Sequence, residues 1–275
     1  MFKDMVVNLS TATGDDTTRD YAISLAREFG SHLSAVAFAV EPVAPALMVE
    51  GGSPELFEEW MREAEVAAEA AVAKFDDAVR GSGLLTDARW LTATIGGSVD
   101  KFGRIARRFD VSVIRQSEPD DNSSNSLIIE TALFDSGRPV LVVPYVHKGA
   151  AKLDRGLVCW DGSRNAARAV GDAMPLLQRA KAVEVVTVGD QPKSREIPGA
   201  DIAQHLARYG VKAEVKEIVA PDLDAGNVIL SHAADISADF MVMGGYGHSR
   251  LRELILGGVT RSILATMTIP TLMSH

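Results

Sequence analysis

The residues best suited to chemistry are two glycine clusters that follow an apolar, strand-like run over residues 239–243. The first cluster consists of Gly244, Gly245 and Gly247, and the second of Gly257 and Gly258. Glycine lets a ligand approach the backbone, and free N–H groups at a helix start attract anions. Because the second cluster directly precedes a helical pattern over residues 259–267, the pair indicates a phosphate-binding loop. Two ordinary glycine-rich turns would leave the same pattern.

The loop matches neither of two common phosphate motifs. It contains no lysine, which a Walker loop requires, and it lacks the third glycine of the dinucleotide motif. His248 and Arg250 lie inside it as candidates for phosphate contact, although exposure on a surface loop explains them equally well. Tyr246 is expected to pack the loop down. The predicted phosphate-binding set is Gly244, Gly245, Gly247, His248, Arg250, Gly257, Gly258 and Val259.

A second candidate segment consists of Asp161, Gly162 and Ser163, which follow the apolar run at residues 156–160. In open α/β sheets, ligands bind beyond the carboxyl ends of strands whose connections run to opposite sides. Asp161 at such a strand end would accept a hydrogen bond from a ribose hydroxyl or an adenine edge. The alternative is that Asp161 is the N-cap of the following helix.

Composition narrows the class of protein. A net charge of −9 over 275 residues argues against a nucleic-acid partner, because phosphate neutralisation supplies most of such binding. No disulfide can form within a chain that has Cys159 as its single cysteine, and the six histidines show no metal-binding spacing. Neither a signal peptide nor a membrane span is predicted, so we expect a cytoplasmic protein without a membrane partner.

Strand-like and helix-like patterns alternate along the chain and predict parallel strands with crossover helices. Strands are predicted at residues 5–9, 33–40, 89–94, 111–114 and 140–143, and again at 156–160, 182–188, 213–219, 240–243 and 271–273. Helices are predicted at 18–29, 55–79, 99–108, 126–134, 165–180, 201–209, 226–234 and 259–267. The second half repeats the first, so we expect two tandem doubly wound α/β domains, residues 1–147 and 151–275, joined by a linker near residues 145–153.

The repeat permits a test within the sequence. Aligning the two halves places residues 115–118 over the first glycine cluster and residues 126–127 over the second, and none of these six residues is glycine. The loop of the first copy instead carries Glu118, Asp120 and Asp121, whose charge would repel a polyphosphate. We therefore predict that residues 1–147 are a degenerate domain without the site and that residues 151–275 carry the nucleotide affinity.

These motifs resemble the universal stress protein family, whose nucleotide-binding members carry Gly-x-x-Gly, nine further residues, and then Gly-Ser/Thr. Residues 244–258 match each glycine, but Gly258 stands in the Ser/Thr position. The resemblance implies five parallel strands in the order 3-2-1-4-5 in each domain, the adenine nucleotide alpha hydrolase-like arrangement. It also implies that Asp161, Gly162 and Ser163 bind the nucleoside and that the backbone of Val188 meets adenine.

The resulting hypothesis is a stress-response protein that binds ATP, ADP or AMP, with or without Mg²⁺, in its C-terminal domain. Because Gly258 has no hydroxyl to contact a terminal phosphate, a nucleotide with fewer phosphates, AMP or ADP, is an alternative ligand. No residue stands out as a general base, so a nucleotide-responsive binding or signalling protein is favoured. A slow ATP-hydrolysing or phosphoryl-transfer enzyme and a ligand-free interaction scaffold are the alternatives. Family analogy also suggests a homodimer of tandem chains.

Overall fold

The computed structural model describes residues 1–12, 14, 16–41, 54–118, 124–189, 199–221, 223–246 and 258–275. The first half contains β1 Asp4–Asn8, α1 Thr17–Phe29, β2 His32–Val40, α2 Pro54–Val79, β3 Thr86–Ala93, α3 Ile95–Ala106, β4 Val111–Arg115, α4 Asn125–Asp135 and β5 Val140–Val143. The second half contains β6 Arg155–Cys159, α5 Arg164–Leu177, β7 Ala182–Gly189, α6 Ala200–Arg208, β8 Ala213–Val219, α7 Ala225–Asp235, β9 Phe240–Gly244, α8 Val259–Thr266 and β10 Thr271–Ser274.

All the strands form one ten-stranded sheet in the order β3-β2-β1-β4-β5-β10-β9-β6-β7-β8. Each half has five parallel strands in the predicted order 3-2-1-4-5, and the predicted fold class is confirmed. The halves join at the centre, where β10 pairs antiparallel with β5 and Leu272 lies opposite Leu141. Because that junction is antiparallel, the carboxyl ends of the two sets of strands lie on opposite edges of the sheet.

The core has two layers because alternate strand residues face opposite sides of the sheet. Met5 and Val7 pack under α1 and α2, in a cluster that continues beneath α5 and α6. Val6 packs on the other face, in a cluster with residues of α3, α4, α7 and α8. Helices therefore cover both faces, and buried side chains run continuously from one half into the other.

Helix α3 starts earlier than Val99, the first residue of the predicted helix. The helix begins at Ile95, and the hydroxyl of Thr94 accepts a hydrogen bond of 3.1 Å from the amide of Gly97. Thr94, which the sequence analysis assigned to the preceding strand, is thus the N-cap. Helix α5 also differs from the prediction: the helix predicted over residues 165–180 ends at Leu177, and Pro175 lies inside its last turn. The sequence also predicts Ser53 as the N-cap of α2, but this residue lies outside the described residues.

The connection between the halves is attached to helix α1. The Ala151 amide donates to the Ser24 hydroxyl at 2.7 Å, and the His147 ring packs edge-on against Tyr21 with 5.1 Å between ring centres. Leu153, at the end of the predicted linker, is buried in the core. The predicted linker is therefore anchored at three residues, while residues 148–150 between them are exposed.

His147 is expected to make the fold sensitive to acid. Burial lowers its pKa below the usual 6.5, a hydrogen bond with the Gly149 backbone opposes this, and the charge of Lys152 adds to the lowering. The unfolded chain then takes up a proton near pH 6.5 that the folded chain binds less readily, so stability is complete above pH 6.5 and falls as the pH drops below it. Urea unfolding at pH 7.5 and 5.5 should show a smaller acid loss for His147→Phe than for the parent, whereas the exposed-residue control His205→Phe should match the parent. An unchanged acid loss in His147→Phe would rule this origin out.

Candidate functional site

The candidate site lies where the sheet of the C-terminal half changes winding direction. Strand β6 pairs with β9 through Leu157 and Met241, yet β6 continues through α5 to β7 on one side and β9 continues through α8 to β10 on the other. Diverging connections of this kind open a crevice at the strand carboxyl ends, where α/β proteins bind ligands. Both candidate segments follow these two ends.

The segment after β6 forms a tight turn. The carboxylate of Asp161 accepts a hydrogen bond of 2.8 Å from the Ser163 amide, and Gly162 has a positive φ of 79° that favours glycine. The hydroxyl of Ser163 accepts from the Ala166 amide at 3.1 Å and is the N-cap of α5. The alternative role of Asp161 as N-cap is therefore wrong, and its carboxylate lies exposed beside the crevice.

Gly244 has a packing role that the sequence analysis did not consider. A Cβ at this position would lie 2.6 Å from the Ala166 nitrogen and 2.8 Å from the Asn165 carbonyl carbon. Both are backbone atoms of α5, which cannot turn away as a side-chain tip can. The end of β9 thus needs glycine here so that α5 can approach, whether or not a phosphate is bound.

Gly245 is enclosed in the same way. Its amide donates to the Ser274 carbonyl at 2.8 Å, so this N–H is occupied within the protein. A Cβ on Gly245 would lie 2.6 Å from the Leu133 side chain of α4, in the other half of the chain. Gly244 and Gly245 therefore set the path of the backbone towards the predicted loop.

Tyr246, the next residue, has a left-handed backbone with φ 52°. Its amide donates to the Thr260 hydroxyl at 3.0 Å, and its own hydroxyl donates to the Glu130 carboxylate at 3.1 Å. The Tyr246 ring lies 5.0 Å from the Phe134 ring, centre to centre. The residue therefore contacts the first turn of α8 and, through α4, the N-terminal half.

Asn165 was missed as a residue of this region. It is buried, and its side-chain amide donates to the Gly245 carbonyl at 2.8 Å and lies 2.9 Å from His275 Nδ1. It thereby joins the start of α5 to the end of β9. The sequence around Asn165 predicts only the start of a helix, and no local pattern indicates a contact with Gly245, 80 positions away.

Gly258 is the N-cap of α8, with φ −60° and ψ 155°. These angles are open to any L-residue, and no side chain of the described residues caps the helix. The amides of the first helical turn, beginning at Val259, lack acceptors within the helix. Gly247, His248, Arg250 and Gly257 lie outside the described residues, and their roles stay predictions.

Three apolar side chains near the two segments are only half-buried. Cys159, Val188 and Val259 are partly exposed and pack on the same buried cluster. Burial raises the pKa of the Cys159 thiol to about 12, and the charge of Asp161 adds to the rise. The thiol therefore remains protonated at neutral pH and contributes apolar surface rather than a nucleophile.

The corresponding crevice of the N-terminal half is built differently. Gln116 follows β4 as Gly245 follows β9, and its side chain is buried. Its amide nitrogen donates to the Leu264 carbonyl at 2.9 Å, and its oxygen accepts from the Tyr145 amide at 3.3 Å. Arg115 is paired with Glu118 beside it. A bulky buried amide thus stands where the C-terminal half has glycine.

The described residues contain neither a metal-binding cluster nor a membrane-spanning helix. In that part of the chain, no cluster of three or more histidine, cysteine, aspartate or glutamate side chains could hold a metal ion. None of the helices described above has the length and apolar character needed to span a bilayer.

The fold is a doubly wound α/β arrangement with a crevice at the carboxyl ends of β6 and β9, and solved structures of known proteins share this fold. The universal stress protein family model matches residues 153–275. Universal stress protein Slr1230 of Synechocystis is 30% identical over 141 residues, which cover 49% of this chain and 46% of that protein. The chain thus spans just under half the length of this curated relative.

Solved structures share the fold along the full chain. A universal stress protein from Archaeoglobus fulgidus aligns with a TM-score of 0.74 at 15% identity, over 98% of this chain and 96% of that one. A putative universal stress protein from Pseudomonas aeruginosa aligns with a TM-score of 0.64 at 16% identity, over 99% and 93%. The match to the universal stress protein family model is confined to residues 153–275, whereas the shared fold extends over both halves.

Proposed function

We propose that the C-terminal half binds an adenine nucleotide in the crevice between β6 and β9 and that the protein acts as a nucleotide-responsive binding protein. The observation that carries this proposal is the meeting of two features at one switch point. Asp161 lies in a tight turn after β6, and α8 begins after β9 with Gly258 as its N-cap. A carboxylate and a helix start at the same edge suit a ligand with hydroxyls at one end and phosphates at the other.

Each part of the nucleotide has a matching group in this proposal. The apolar surface of Cys159, Val188 and Val259 would hold the base, and the exposed Asp161 carboxylate would accept from ribose hydroxyls. The amides that open α8 would donate to phosphate, together with those of the predicted loop. The Gly245 amide is excluded as a donor because it already donates to Ser274.

We further propose that residues 1–147 and 151–275 are two domains and that only the second binds nucleotide. Glu118, which aligns with Gly247 of the predicted loop, supports this division, because its carboxylate would repel a phosphate. A cytoplasmic location also remains part of the proposal.

Calorimetric titration of the full chain tests the function. ATP, ADP and AMP should each be titrated, with GTP as the control for base recognition. We expect one nucleotide bound per chain and weaker binding of GTP, because an apolar base site with few polar groups discriminates by shape. No heat and no saturation with any adenine nucleotide at millimolar concentration would contradict the proposal.

Gly258→Ser is expected to raise the preference for ATP over AMP by roughly tenfold or more, because a charge-assisted hydrogen bond to a terminal phosphate adds roughly 1.5–3 kcal/mol. The observed φ of −60° removes backbone strain as a competing effect. Titration of parent and variant with both nucleotides gives the ratio, and AMP serves as the internal control. An unchanged ratio would show that residue 258 does not meet the terminal phosphates.

A further inference from the structure

Among the described residues, helix α4 of the N-terminal half contacts the backbone that leads from β9 into the candidate site. Leu133 packs where Gly245 lacks a Cβ, Phe134 packs on the Tyr246 ring, and Glu130 accepts a hydrogen bond from the Tyr246 hydroxyl. All three side chains of α4 reach the short stretch that leads from β9 into the predicted phosphate loop. They belong to the half that is not expected to bind nucleotide.

The hydrogen bond with Glu130 holds Tyr246, whose backbone has an unfavourable conformation. Tyr246 has a left-handed φ of 52°, a conformation that costs a non-glycine residue energy and persists only where surrounding contacts enforce it. The Tyr246 amide is joined to Thr260 in the first turn of α8, so the ring and the helix start are coupled through one residue. Releasing the hydroxyl from Glu130 would let this residue relax and change the approach to α8.

We propose that Glu130 is a positioning residue for the nucleotide site, so that the N-terminal half sets the nucleotide affinity of the C-terminal half by holding Tyr246. This inference rests on the proposed function. It also alters the expectation drawn from the sequence, in which residues 151–275 carry the affinity on their own.

The test uses the full chain and two substitutions that break the same bond from opposite ends. Glu130→Ala removes the acceptor, and Tyr246→Phe removes only the hydroxyl that donates. Each is expected to weaken ATP binding by about three- to tenfold, the range for one partly exposed hydrogen bond to a charged group, and the double variant should be no weaker than either single one. Glu130→Gln keeps an oxygen acceptor and should restore most of the affinity.

A second measurement does not depend on nucleotide. Hydrogen exchange followed by NMR should show the Gly245 and Tyr246 amides exchanging faster, by about tenfold, in nucleotide-free Glu130→Ala. The matched control is Arg179→Met, which breaks the contact of Arg179 with Glu28 between the halves and should leave both exchange and affinity unchanged.

The outcomes separate the two proposals. Parent-like exchange in Glu130→Ala, or parent-like ATP affinity in a protein that binds ATP, would overturn the positioning role and leave the nucleotide site standing. Equal weakening by Arg179→Met would also overturn it, because any loss of contact between the halves would then suffice. If the parent protein binds no adenine nucleotide, the proposed function is wrong. The proposed effect of Glu130 on affinity is then wrong as well, even if the Gly245 and Tyr246 amides exchange faster in Glu130→Ala.

Discussion

Gly244→Ala is expected to lower the free energy of unfolding by about 3 kcal/mol, at the upper end for an overpacked core position. The added Cβ would meet the nitrogen of Ala166 at 2.6 Å and the carbonyl carbon of Asn165 at 2.8 Å. Since both atoms belong to the backbone of α5, relief requires moving the helix or the end of β9. Urea unfolding followed by circular dichroism measures the change.

Gly171→Ala provides the matched control because Gly171 lies in α5, the helix that packs against Gly244. A Cβ there meets nothing within 4 Å, so alanine should leave stability unchanged or raise it by up to about 1 kcal/mol through its higher helix propensity. A loss below about 1 kcal/mol for Gly244→Ala, which is typical of an ordinary surface position, would contradict the packing role.

Gly247→Val is expected to weaken ATP binding by about a hundredfold or more, equivalent to roughly 2.7 kcal/mol. A β-branched side chain in the predicted phosphate loop would block the approach of the backbone to the ligand. Calorimetric titration measures the affinity, and urea unfolding verifies that the variant remains folded.

The control for this variant is Gly96→Val, an exposed glycine near the start of α3 with open space around its Cβ position. It should bind ATP as the parent does. A folded Gly247→Val that binds as tightly as Gly96→Val would show that the loop does not cradle phosphate.

The sequence predicts the sheet and its order well because strand patterns are local. The predicted strand at residues 213–219 coincides with β8, and Gly30 ends α1 with the left-handed cap expected of glycine. The start of α3 was missed because Gly96 and Gly97 have low helix propensity. The Thr94 cap and burial of Phe102 outweigh that local preference.

The candidate site is less accessible to sequence reasoning, because a pattern of glycines does not reveal what each glycine makes room for. Gly244 and Gly245 fit a phosphate motif, yet their missing side chains leave space for α5 and Leu133. Asn165 contacts Gly245, which is 80 positions away in the sequence, and Glu130 contacts Tyr246, which is 116 positions away. Such contacts depend on how helices and strands pack in three dimensions, which the periodicity of the sequence does not describe.

Photo-crosslinking with 8-azido-ATP, followed by peptide mapping, tests the location of the nucleotide most directly. We predict that the label enters peptides of the C-terminal half that contain Cys159, Asp161 or Val188, and that excess ATP prevents labelling. The full chain should be used, so that α4 remains in contact with Tyr246. Labelling confined to residues 1–147, or labelling that excess ATP does not reduce, would contradict an adenine nucleotide site between β6 and β9.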